Sequence, residues 1–323
     1  MAADIKIKRS SLIHSGKSIT DWRERAIEKI LFANGFLAVI LITLIFLFLF
    51  KEGLASFWQI KPFQLLGGWG ENYFTGKPEF KMVWQPVSEV PKFSLLPLLC
   101  GSFLVAIPAT LFSTFIGVAV GIYLSEFAST GVREIGKPVI EFFNGLPTVV
   151  VGFFFLAVIA SLVQKMFGTI YRLNAFVGAL GVSVVTIPLI ASLTEDSLQA
   201  VPKELKAASL ALGTTPWQTV WNVTLPAAVS GITASVLLGL GRALGETMIV
   251  LMATGNGAVI TSNIFSTVRT MTATIAAELG STAQGSPQYH VLFLVGSILF
   301  SITFVFNALA EQIVYKLRQK LRM

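Results

Sequence analysis

The chain has 323 residues, of which 54% are hydrophobic and only 13% charged, and its mean hydropathy is +0.74. That balance excludes an ordinary two-domain soluble enzyme and describes a bundle of membrane helices. A formal charge of +7 could suggest nucleic acid, but basic clusters at both ends, Lys6 to Lys29 and Lys316 to Arg322, are placed as anchors flanking membrane spans are. Cys100 is the single cysteine and forms no internal disulfide, and His14 and His290 are too few for a metal centre.

In chain order, residues 1–29 form a basic tail expected in the cytoplasm. Within it, Ser11 to Ser18 nearly spells a phosphate-binding loop, but Ser11 replaces the first glycine and no buried strand precedes it. The chain is therefore expected to bind no nucleotide of its own. Residues 30–93 comprise a first span near 30–50, retained and not cleaved, and an aromatic, Gly/Pro-rich outer loop with interfacial anchors. The core, 94–315, holds further apolar stretches near 94–124, 138–163, 173–193, 228–254 and 290–315. Six spans and two basic ends predict an all-α polytopic membrane protein with both termini in the cytoplasm, and 316–323 as a short cytoplasmic tail. Residues 264–277 are too rich in Thr and Ser for a full span and predict a short outer or re-entrant helix, with Arg269 solvated or against headgroups.

Arg242 and Glu246 stand in the middle of the fifth apolar stretch, where ionisable groups are costly and usually mark a polar path or a fixed pair. A continuous helix would set them one turn apart on one face, close enough to pair. Thr247 could lend a hydroxyl to the same path or bond back to its own helix.

The inner loop 194–227 is the most polar stretch between spans. Ala207, Ala208, Leu210 and Ala211 give it a small-residue helical face, Gly213 stops that helix, and Pro216 opens another. Two short helices joined at a glycine suit insertion into a groove on a soluble partner. Gly213, followed nine residues later by Val223-Thr224-Leu225-Pro226, resembles the loop of import-type ABC permeases. Ala207-Ala208-Ser209 stands where that family has Glu-Ala-Ala, and Glu204 lies one turn earlier. The run Gly241-Arg242-Ala243-Leu244-Gly245-Glu246-Thr247-Met248 resembles the signature of phosphate-import permeases of the C-type, as does Gly145 to Gly152. Sulfate and molybdate permeases share the Arg-Ala-Leu-Gly-Glu core but follow it with an aromatic residue.

The resemblance implies a type I ABC importer permease fold in a bacterial plasma (inner) membrane. It implies pairing with an A-type phosphate permease, two ATPase subunits below and an extracytoplasmic phosphate-binding protein above. ATP and Mg would be held by the ATPases, no cofactor and no catalytic site by this chain. Glu204, Ala207, Ala208, Gly213, Thr214, Pro216 and Trp217 would then meet the ATPase. Arg242, Glu246 and Thr247 would line the substrate path, with Arg242 exchanging Glu246 for phosphate. The alternatives are a sulfate or molybdate permease and, in a different class, an ATP-independent anion channel or secondary transporter.

Overall fold

The computed structural model describes residues 17–71 and 78–321, so the near-phosphate-loop at 11–18 lies largely outside the described residues. The apolar runs fold as helices because, in hydrocarbon, a helix satisfies each backbone group within its own segment. Among the described residues, six helices are long and apolar enough to cross a membrane: Glu24–Gln59, Leu96–Phe127, Thr148–Phe167, Ala175–Gln199, Pro216–Gly245 and Pro287–Lys316. By contacts the chain divides after Lys51. The first unit holds most of α1 (Lys17–Gln59), whose apolar side chains, such as Phe36 and Ile45, are exposed. All that follows belongs to the second unit.

The segment after α1 is ordered by two small antiparallel pairs. β1 (Gly68–Glu71) runs against β2 (Pro78–Lys81), and β3 (Trp84–Gln85) against β4 (Lys92–Phe93). Trp84 is not an interfacial anchor. It is buried edge-on against Phe93, and its indole donates to Glu278 at 2.9 Å. A Trp with a satisfied N–H can be buried at little polar cost.

The centre of the bundle is α2 (Leu96–Ile122) packed along α6 (Ala175–Gln199), lined with small residues such as Ala106, Ala109, Ser113, Ala179 and Ser183. Water expulsion cannot drive helix pairing in lipid, so close approach of small side chains and bonds such as Ser113 Oγ to the Ser183 carbonyl, 3.2 Å, take its place.

Two expected spans are interrupted. The run 138–163 is not one helix: α3 (Thr130–Asn144) ends at Gly145, and α4 (Thr148–Phe154) restarts after Pro147 and continues through a π turn into α5 (Ala160–Phe167). Pro147 has extended dihedrals, which end one helix and open the next. The run 228–254 also breaks. α7 (Lys203–Ala211) and α8 (Pro216–Thr219) precede a π turn and α9 (Leu225–Gly245), Glu246 is extended, and α10 (Met248–Ala253) follows. The helix expected at 264–277 is shorter, α11 (Met271–Glu278), and α12 (Pro287–Leu321) closes the bundle.

Glycine contacts fix the depth of the second break. A Cβ on Gly231 of α9 would lie 2.3 Å from Ser197 Oγ, and one on Gly181 of α6 would lie 2.6 Å from Ile249 of α10. The break at 245–247 therefore falls level with the middle of α6. At both glycines the space a Cβ would take is filled by a side chain of the facing helix.

Candidate functional site

Both interruptions meet at one place. α4 and α10 pack together, with Gly152 against Ile249 and Met252, and the ends of α3 and α9 face each other just before them. Arg242 Nη1 donates to Asn144 Oδ1 at 3.0 Å. Asn144 is the last residue of α3 and Arg242 is in the last turn of α9. A cation near a helix C-terminus is favoured by the carbonyl dipoles there.

The expected pairing of Arg242 with Glu246 is absent: among the described residues no ion pair joins them. The physical reason is the break itself. Glu246 closes α9, and its ψ of 134° turns the chain away after it, freeing backbone N–H groups that claim its carboxylate. Its side chain turns to the next helix, where Oε1 accepts from the backbone N–H of Thr247 at 3.1 Å and Ile249 at 3.4 Å. Its carbonyl accepts from Thr272 Oγ1 at 2.7 Å, and the residue is only 8% exposed. Glu246 thus holds the break's shape by capping α10 and tying it to α11. Thr247 bonds back, donating from Oγ1 to the Gly245 carbonyl at 3.2 Å. Asn144 and Thr272 were not singled out from the sequence. The signal for Asn144 was present in Asn144-Gly145-Leu146-Pro147, a helix stop deep in an apolar run.

The second candidate region is the loop 194–227. α7 carries Glu204, Ala207 and Ala208 on an uncovered surface, together with Leu210, Ala211 and Leu212. Gly213 follows with φ +84°, which ends the helix as glycine permits. Thr215 caps α8, accepting from Gln218 N–H at 3.2 Å, and Pro216 takes the first position. Thr214 points inward: its hydroxyl donates to the Ser209 carbonyl at 2.8 Å and lies 2.9 Å from Thr219 Oγ1. Trp217 stays half exposed with its ring 5.6 Å from Phe127 and 5.7 Å from Trp221.

Behind this loop lies a cluster of charges to which the sequence reading assigned no role. Glu195, near the end of α6, is 1% exposed and meets Lys137 at 3.1 Å and Arg133 at 3.4 Å, both from α3. Gln199, one turn on, donates to the same carboxylate. Asp196 lies 2.7 Å from Lys137 and holds that ammonium above the ordinary lysine value of 10.5, against the opposing effect of partial burial and with help from Glu195. A four-residue cation spacing, Arg133 and Lys137, facing an acidic pair at a helix end was a readable signal.

On the opposite end of the bundle, Arg269 pairs with Glu278 at 2.9 Å and is mostly buried, not solvated as expected. Glu278 also accepts from Trp84 and from Gln288 Nε2 at 2.8 Å. A partner of fixed geometry explains the difference: Glu278, on α11, offers Arg269 a charge that water or headgroups would otherwise supply. These groups border an open cavity of about 500 Å³.

The family described as binding-protein-dependent transport system inner membrane component matches residues 113–322. The chain belongs to this family. It is 36% identical over 225 residues to the probable ABC transporter permease protein YqgH of Bacillus subtilis, covering 69% of this chain and 72% of the relative. It is 30% identical over 273 residues to the phosphate transport system permease protein PstC of Mesorhizobium japonicum, covering 79% and 81%. Among solved structures, a bacterial alginate ABC transporter matches over 90% of this chain and 95% of that chain, with a TM-score of 0.55 at 18% identity. An inward-facing MetNI methionine ABC transporter matches over 68% and 95%, with a TM-score of 0.53 at 20% identity. The family and the six apolar helices make this a multi-pass ABC importer permease of the type I fold, similar in sequence to PstC proteins.

Proposed function

We propose that this permease forms half of the path of an ATP-driven inorganic phosphate importer. The observation that carries the reading is Arg242, a fixed cation level with the middle of α6 whose hydrogen-bond partner is the neutral amide of Asn144. A buried Arg–carboxylate pair is costly to open because it leaves two uncompensated charges. A neutral acceptor is cheaper to replace, and the guanidinium fork suits a tetrahedral oxyanion. Arg242 exchanges Asn144, not Glu246, for the passing anion, while Glu246 and Thr247 shape the break beside it. Similarity to PstC proteins and the run Glu246-Thr247-Met248 favour phosphate over sulfate or molybdate.

In this reading an A-type phosphate permease completes the path, and an extracytoplasmic phosphate-binding protein delivers to its outer side. Two ATPase subunits, holding ATP and Mg, receive the surface made by Glu204, Ala207, Ala208, Gly213, Pro216 and Trp217. The coupling loop and both termini then lie in the cytoplasm. Thr214 belongs to this region as an internal brace of the Gly213 turn.

Competition of unlabelled phosphate, sulfate and molybdate against labelled phosphate uptake by the complete complex tests the substrate. Phosphate is expected to compete strongly and the others weakly; preferential inhibition by sulfate or molybdate would reassign the anion. Uptake by the reconstituted chain without ATP or an ATPase would instead make it a channel or secondary transporter.

A further inference from the structure

Lys206 lies on α7 but faces away from its uncovered surface. Its Nζ donates to Glu126 Oε1 at 2.6 Å and to the Leu198 carbonyl at 3.4 Å. Glu126 is in the π turn Tyr123–Phe127 that ends the α2 span, and Leu198 is in the last turn of α6. One ammonium therefore touches the ends of both central helices. The pair is sheltered, with side-chain exposures of 23% for Lys206 and 9% for Glu126.

The surroundings stiffen this contact. Ser125 Oγ donates to the same Glu126 oxygen at 2.9 Å, and Arg133 Nη2 donates to the Ser125 carbonyl at 2.8 Å. Arg133 in turn meets the buried Glu195 of α6. The ring of Phe127, beside Glu126, packs on Trp217 of the second coupling helix. Both short helices of the loop are thus tied to the same π turn, one by charge and one by an aromatic contact.

Resting on the importer reading above, we propose that Lys206 is the positioning residue that converts movement of the coupling helix into movement of the α2 and α6 ends. A push on α7 without this bond can be absorbed by the short connections at its two ends, 200–202 and 212–215. With the bond in place, displacement of α7 must carry Glu126 and the end of α6 along. Lys206 lies apart from the exposed α7 face of Glu204, Ala207 and Ala208, and acts through Glu126 and Leu198.

The test uses the complete complex in proteoliposomes and reads labelled phosphate imported per ATP hydrolysed. Lys206→Met is expected to lower that ratio about tenfold, the size of an ordinary coupling between sites. The exchange Glu126→Lys with Lys206→Glu is expected to restore it. Where the single variant does not assemble, the neutral double variant Glu126→Gln/Lys206→Met replaces it with no unpaired charge left behind. An assembled variant with an unchanged ratio overturns the proposal, as does a lowered ratio that the charge exchange leaves lowered. A wild-type complex that imports sulfate or molybdate instead refutes only the substrate, and the ratio is then read with that anion. Wild-type import that needs no ATP overturns both.

Discussion

The mid-bundle break and the charge cluster behind the 194–227 loop use ionisable groups in opposite ways. At the break, Arg242 leans on a neutral amide and Glu246 on backbone N–H groups, so no cation and carboxylate are joined. At the C-terminal end of α6, Glu195 and Asp196 are matched by Arg133 and Lys137, and Glu126 by Lys206. On the proposed function, the difference separates a region that changes partners from one that keeps them. Carboxylates as sheltered as Glu195 and Glu126 leave a costly uncompensated charge if their cations are removed, so the cluster suits a joint, whereas a cation on a neutral acceptor suits exchange with an anion.

The strongest way to break this contrast is at Arg242. Arg242→Ala should lower phosphate uptake by about 100-fold in the assembled complex, since two charge-assisted bonds at about 1.5 kcal/mol each are lost. Arg242→Lys should recover only part of it, because a point charge cannot reproduce the fork. Near-normal uptake by an assembled Arg242→Ala complex would make the residue structural. Next in size is Glu195→Ala. Removing the buried carboxylate strands Gln199 and two half-exposed cations and should cost about 2–3 kcal/mol, read as a lower unfolding midpoint in detergent. An unchanged midpoint would mean the cluster is not a joint.

A smaller effect separates charge from capping at Glu246. Glu246→Gln keeps an oxygen for the Thr247 and Ile249 N–H groups and should retain most uptake. Glu246→Ala removes the cap, costing about 1 kcal/mol, and should lower uptake more. Equal loss in both variants would show that the charge itself matters. The smallest expected effect is in the pH dependence of Lys137. Its pKa is raised in the folded protein, so its contribution to stability is fully present below the ordinary value of 10.5 and is lost as pH rises through the folded value. The difference in unfolding midpoint between wild type and Lys137→Met should therefore be constant from neutral pH to about 10 and shrink above it. A difference that disappears near neutral pH would contradict the Asp196 pairing.

The spans and the coupling loop were legible because each is a local pattern: apolar runs of membrane length, a stop at Gly213, a start at Pro216. Arg242, Glu246 and Thr247 stood out for the same reason, as polar groups in an apolar run. What they touch was not legible. Periodicity assumes an unbroken helix, and the extended dihedrals of Pro147 and Glu246 remove that assumption where it matters most. Asn144 is 98 residues from Arg242, and Glu126 is 80 residues from Lys206. Contacts at that separation are set by helix packing, which one sequence read along its length does not contain.

The π turn Val220–Thr224 lies between α8 and the α9 helix that carries Arg242. Such a turn closes its ring over five residues instead of four, so it stores one spare residue of chain without changing which way α9 faces. Shortening the chain by one residue there leaves Arg242 pointing at Asn144. The same deletion within α9 would swing Arg242 by about 100° around the helix axis, since each α-helical residue turns by that angle.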